Sequence, residues 1–197
     1  MRDIDSALDD ISRIRDQLAA STRFHGFAPP IVGLTGLLAL ALAAWQGFAS
    51  EDNLIAWILL AVICAAMIGA EAIVRARKWH RSMADRLLNT TLQRFLPTAM
   101  AGAIVGFVFL VHLPDQARLL PGLWQILIGV GVFAAIGNLP RQMIWLAGFY
   151  FVTGAVCLLL GTNPQAATPW LMGAPFGFGQ LLAAAILHLA STGAQDD

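Results

Sequence analysis

Charge is what this sequence has least of: Asp, Glu, Lys and Arg make up 12% of its 197 residues, against 58% hydrophobic, where a soluble domain carries roughly 25% charged residues. A surface built from this chain is too apolar to face water throughout, which excludes an ordinary soluble globule and makes the membrane its solvent. Cysteine is nearly absent. Cys64 and Cys157 each stand alone inside an apolar run, where a thiol serves as a small hydrophobe, so neither a disulfide nor a metal site is expected. Ionisable groups inside the apolar runs are scarcer still, with Glu71 the only acidic one. That scarcity leaves no paired carboxylates for acid–base catalysis, no nucleophile beside a base and no phosphate-cradling loop. No catalytic residue, metal or cofactor is therefore expected.

What the chain does have is long apolar stretches. Six of them, near 29–49, 54–74, 95–113, 119–138, 141–161 and 169–190, suit crossing roughly 30 Å of hydrocarbon as helices. Helix is the form that bonds its backbone to itself. The expected fold is all-α: a six-helix transmembrane bundle over 28–192, preceded by an arm at 1–27 and followed by a tail at 193–197. The fourth and fifth spans, separated only by Leu139, Pro140 and Arg141, form a hairpin with one tight turn.

The few charges are segregated. Eleven of the twelve Lys and Arg residues fall in the N-terminal segment, the 75–94 loop and the turn at Arg141, and only Arg118 lies on the opposite side. By the positive-inside rule both termini face the cytoplasm of a bacterial inner membrane. The basic residues are thus topology determinants, and nucleic acid is not expected as a direct ligand. The start of the chain carries no pattern of a cleaved signal peptide. Trp45, Trp57, Trp124 and Trp170 near the outer ends, with Trp79 and Trp145 near the inner ones, suit headgroup anchors and packing.

Residues 3–22 have a different grammar. Ile4, Ile11 and Leu18 repeat every seven residues, with Ala7 and Ile14 between them, and Asp3, Asp5, Asp9, Asp10, Arg13, Arg15 and Asp16 fill most of the rest. This is an amphipathic helix. Its acidic excess disfavours adhesion to anionic lipid and favours protein contact. In the 75–94 loop, Met83, Leu87, Leu88 and Leu92 share a helical face, so the second span is expected to continue as helix beyond the bilayer and to offer the arm a surface.

Prolines open most spans, at Pro29–Pro30, Pro97, Pro121, Pro140 and Pro169, where the missing N–H loses no helical bond. Pro175 falls inside the sixth, among Gly173, Gly177 and Gly179. It is expected to kink or break that helix and to make Gly173, Pro175, Gly177, Gly179 and Gln180 a candidate pocket, since freed backbone groups need partners. Small-residue faces at Gly102 with Gly106, Ala65 with Gly69, and Gly129 with Gly131 and Ala135 point to close helix contacts. A second candidate site gathers polar residues at the cytoplasmic side: His25, Glu71, Arg75 and His188. Glu71, one turn before Arg75, is spaced for an ion pair.

Ser21-Thr22-x-Phe24 before the first span, the 120–124 stretch LPGLW opening the fourth and the 173–179 stretch GAPFGFG in the sixth together resemble a group of uncharacterised bacterial six-span inner-membrane proteins. Genes of that group often neighbour small winged-helix transcriptional regulators, which implies a membrane partner or sensor for such a regulator. The resemblance carries over no catalytic residue. Where members tend to have a histidine after the glycines, this chain has Gln180-Leu181-Leu182. The resulting expectation is a non-enzymatic membrane protein that contacts lipid and whose residues 3–22 and 78–94 mediate self-association into homo-oligomers, the binding of a cytoplasmic regulatory protein, or both. The alternative is a small-molecule or lipid transporter subunit with its pocket at the sixth helix.

Overall fold

In a computed structural model of the chain, residues 28–50, 52–78, 81–163 and 168–192 are described; for 75–78, 81–92 and 138 this covers the backbone alone. The arm at 1–27, including the amphipathic segment 3–22 and His25, lies outside them, as does the tail at 193–197. The described residues are all-α: α1 (Pro29–Ala49), α2 (Leu54–Lys78), α3 (Arg81–His112), α4 (Leu120–Ala135), α5 (Met143–Gly161) and α6 (Thr168–Thr192). Short 3-10 turns at Pro114–Leu119 and Ile136–Asn138 flank α4. Five of these helices, and α4 together with the 3-10 turn before it (Pro114–Ala135), hold a segment long and apolar enough to cross a membrane, and the chain is a multi-pass membrane protein.

Local signals explain the boundaries. Two prolines open α1 without losing a bond. Ser50 closes it in the left-handed region at φ 53°, donating its N–H back to the Gln46 carbonyl. Asn53 then starts α2, its Oδ1 accepting the Ala56 N–H at 3.1 Å. Pro121 and Pro169 sit in the first turns of α4 and α6. Pro97 departs from its expected place: α3 begins at Arg81 and runs 32 residues through it. The carbonyl that Pro97 deprives of a donor belongs to Gln93, an exposed residue just before the apolar run that begins near residue 95. Water at the membrane edge can satisfy that group, so the helix survives.

The helices run alternately up and down and form a ring: α1 packs most extensively on α6, α6 meets α5, α5 lies along α4, α4 along α3, and α2 bridges α3 to α1. The ring is uneven. The spanning segments of α2 and α3 have 17% and 11% of their residues buried, against 33–39% for the other four, so these two helices form the loosely held side. One apolar core, of Val32, Val132, Met143, Tyr150, Ile186 and their neighbours, lies toward the end where α1 starts and α6 finishes, here the terminal end. A second, of Ala39, Ala43, Trp57 and Met172, lies toward the opposite, distal end.

Backbone-to-backbone contact at glycine sets the two tightest seams. A Cβ on Gly36 would stand 2.7 Å from the Gly177 carbonyl oxygen, and one on Gly177 would stand 3.0 Å from that of Gly36. Gly122 and Gly154 repeat this reciprocal arrangement between α4 and α5 at 2.7 and 3.0 Å. In a solvent as apolar as the side chains themselves, such close approach supplies the dispersion contacts that hold helices together. The small faces read from sequence divide accordingly. Gly106 meets Trp124 and Gly131 meets Phe95, whereas a Cβ on Gly69 would meet nothing within 4 Å and Ala65 is exposed.

Gly36→Val and Gly122→Val are each expected to destabilise the folded protein by about 1–3 kcal/mol, through backbone displacement at a filled contact. Gly69→Val, facing open space, is expected to lie close to wild type. Thermal unfolding in detergent or nanodiscs checks the contrast; equal losses at all three positions would contradict the assignment of the seams.

Candidate functional site

Polar side chains inside the ring are few, and each has a definable task. At the distal end Gln46, fully buried, donates from Nε2 to the Asn53 carbonyl at 3.0 Å. Its Oε1 accepts the Trp57 indole N–H at 2.9 Å. Trp57 is thereby fixed inside the core beneath Gly173, rather than at the headgroup level where Trp45 and Trp170 are exposed. This closes the α1–α2 hairpin with both amide groups of Gln46 satisfied. Thr35 and Thr153 bond to the Val32 and Phe149 carbonyls of the preceding turn, at 2.7 and 2.9 Å, as serine and threonine do in membrane helices.

The 173–179 segment differs from its sequence reading. α6 is one continuous helix from Thr168 to Thr192, with Pro175 inside it. Proline has no N–H, so the Leu171 carbonyl four residues earlier receives no bond from that position. Gln125 of α4 supplies the missing donor: its Nε2 lies 2.9 Å from the Leu171 oxygen. Cys157 of α5 stands beside the same carbonyl at 3.4 Å and beside the Gln125 Nε2 at 3.5 Å. A polar knot thus joins three helices at the group the proline released, and the expected break is corrected. The glycines that were to open a pocket serve contact instead. A Cβ on Gly173 would overlap Ala43, one on Gly177 would press on Leu40, and one on Gly179 would overlap the Tyr150 ring and hydroxyl.

Among the described residues, two buried polar atoms keep no hydrogen bond of good geometry, Gln125 Oε1 and the Tyr150 hydroxyl. Gln180, half-buried on α6, is the polar side chain that reaches toward that hydroxyl. Sequence patterning does not single out Gln125. The signal that leads to it is Pro175 itself, because a proline deep in a span implies an orphaned carbonyl four residues back and a donor on a facing helix.

Of the terminal-end candidates, the side chains of Glu71 and His188 fall among the described residues. Glu71, half-buried on α2, accepts the Ala28 N–H at 3.1 Å through Oε2. A carboxylate at the N-terminus of α1 faces the positive end of the helix dipole and ties the entry of α1 to α2. His188 is an exposed residue on α6, its carbonyl accepting from the Ser191 hydroxyl at 2.7 Å. The Arg75 side chain and His25 lie outside the described residues. Among the described residues no three His, Cys, Asp or Glu side chains converge to hold a metal ion. Among the described residues the terminal end also carries a helical extension: α2 runs to Lys78, and α3 starts at Arg81, 14 residues before the apolar run that begins near residue 95. Arg94 lies at the base of this extension with a guanidinium nitrogen 2.9 Å from where a Gly137 Cβ would stand, at the end of α4. That end of a helix carries the partial negative charge a guanidinium favours.

If Gln125 is the donor for the carbonyl that Pro175 releases, Gln125→Leu should destabilise the bundle by about 1–2 kcal/mol. In a Pro175→Ala background, where the residue 175 N–H can serve Leu171, the same substitution should do less harm. A double-mutant cycle on unfolding in detergent reads the coupling; strictly additive effects would contradict the assignment.

No protein-family model, curated protein or solved structure matches the chain.

Proposed function

We propose that the protein is a non-enzymatic, self-associating component of the bacterial inner membrane, with both termini in the cytoplasm, whose cytoplasmic layer at 3–22 and 78–94 binds a regulatory protein. The observation that carries this reading is the α2–α3 extension, where α3 begins at Arg81, 14 residues before the apolar run that starts near residue 95, about 21 Å of helix at 1.5 Å per residue. This projection stands at the end of the bundle where α1 starts, which is the end rich in Lys and Arg. Several polar groups elsewhere serve to close the fold: Gln46 and Trp57 in the first hairpin, and the Gln125 Nε2 at the proline of α6. The resemblance to six-span proteins encoded beside winged-helix regulators makes a protein of that class the first partner to test.

The alternative, a small-molecule or lipid pocket at Gly173, Pro175, Gly177, Gly179 and Gln180, lacks comparable support, because the glycines there abut neighbouring helices. Purification of the full chain from native membranes, beside a chain lacking residues 1–22, tests the preferred reading. The expected result is a cytoplasmic protein and an oligomer that depend on the arm. Unchanged partners and unchanged oligomeric state after truncation would overturn it.

A further inference from the structure

We infer that the arm docks in cis, with residues 3–22 lying parallel to the 81–92 extension of α3 in the same chain. The inference rests on the cytoplasmic layer proposed above and names what covers it. Its first support is where the arm begins. The Glu71 carboxylate holds the Ala28 N–H at 3.1 Å, so the arm leaves the bundle beside α2, four residues before the extension starts at Arg75. Residues 23–27 then form a five-residue link of at most about 17 Å. That is too short to carry the near end of the amphipathic segment far from the α2–α3 base. Direction follows from this anchor. The arm approaches the membrane as its numbering rises, and α3 does the same from Arg81 to Gln93, so two helices laid side by side here run parallel.

The second support is fit. Positions 4, 7, 11, 14 and 18 of the arm, Ile4, Ala7, Ile11, Ile14 and Leu18, alternate spacings of three and four, the seam of a helix that pairs with another helix. Residues 81–92 are helical, and Met83, Leu87, Leu88 and Leu92 fall on one face of that helix by spacing. The third is charge. Segment 3–22 holds five Asp and two Arg, a net −3, while segment 75–94 holds six Lys or Arg and one Asp, a net +5. Opposite net charge steers the two segments together and weakens their contact as salt rises. Two copies of the arm paired with each other would set like charge against like. The arm therefore occupies the α3 extension, and the two helices together form the surface offered to a regulatory protein.

Paired cysteines in the full chain, in a background with Cys64 and Cys157 replaced by Ala, test the docking in native membranes with a short bis-maleimide. Leu18→Cys with Leu92→Cys should cross-link within one chain, giving a fast-migrating monomer in a denaturing gel. Ile4→Cys with Leu92→Cys should not. Cross-linking at dimer mass would overturn docking in cis, and equal cross-linking by both pairs would overturn the parallel arrangement. Proteolysis at Arg13 and Arg15 provides a second readout that leaves the apolar seam intact. Trypsin should cut the wild-type chain at Arg13 and Arg15 at least several-fold more slowly than the chain with Asp9→Asn and Asp10→Asn, each rate referred to that of the free 1–27 peptide of the same sequence, and equal protection would overturn the proposal. An intrachain cross-link in a protein that captures no regulator and stays monomeric would uphold the docking while removing the proposed function.

Discussion

The ring closes because two backbones touch. α1 and α6 are the first and last spans, and nothing in the chain order makes them neighbours except the contact of Gly36 with Gly177 and the small residues that continue it at Ala39, Ala43, Gly173 and Ala184. Remove that approach and α1 has only its thinner contact with α2. In water, apolar side chains would drive the helices together regardless of detail; in hydrocarbon they gain nothing by leaving lipid, and close packing must supply the attraction. The polar bonds of the bundle depend on the same closeness. Gln46 reaches Trp57, and Trp57 packs beneath Gly173, because the helices around them stand at glycine distance.

Proline illustrates how position decides consequence. Pro97 and Pro175 each strip a donor from a carbonyl inside a continuous helix. For Pro97 that carbonyl is on exposed Gln93 at the edge of the spanning segment, where water serves. For Pro175 it is on Leu171 between three helices, where Gln125 must serve. The glycines around Pro175 follow from packing rather than from flexibility, since each lies against a neighbour.

Much of this was legible in the residues. Hydropathy and the flanking prolines place α1 at 29–49 and α5 within 141–161, because an apolar run with capping signals has one low-energy form in a bilayer. The third span was less legible: its helix absorbs residues 81–92, since an amphipathic loop next to a span has no signal to stop it. Partner choice was least legible. Gly33 could be noted as small, but no pattern in α1 names Gly177 as the contact of Gly36, and Gln125 becomes visible only through its geometry with Leu171. Glu71 shows the same limit, for nothing in its sequence position names the N–H of Ala28, 43 residues away, as one of its partners.

The terminal end therefore combines the tie of Glu71 to Ala28, a basic helical extension and the loosely packed pair α2 and α3, and the docking proposed there makes the arm and the extension one unit outside the bilayer. Amide hydrogen exchange of the intact protein in nanodiscs reads that unit. Amides at 81–92 are expected to exchange slowly in the full chain and at least tenfold faster when residues 1–22 are removed. Identical exchange in the two proteins would contradict it.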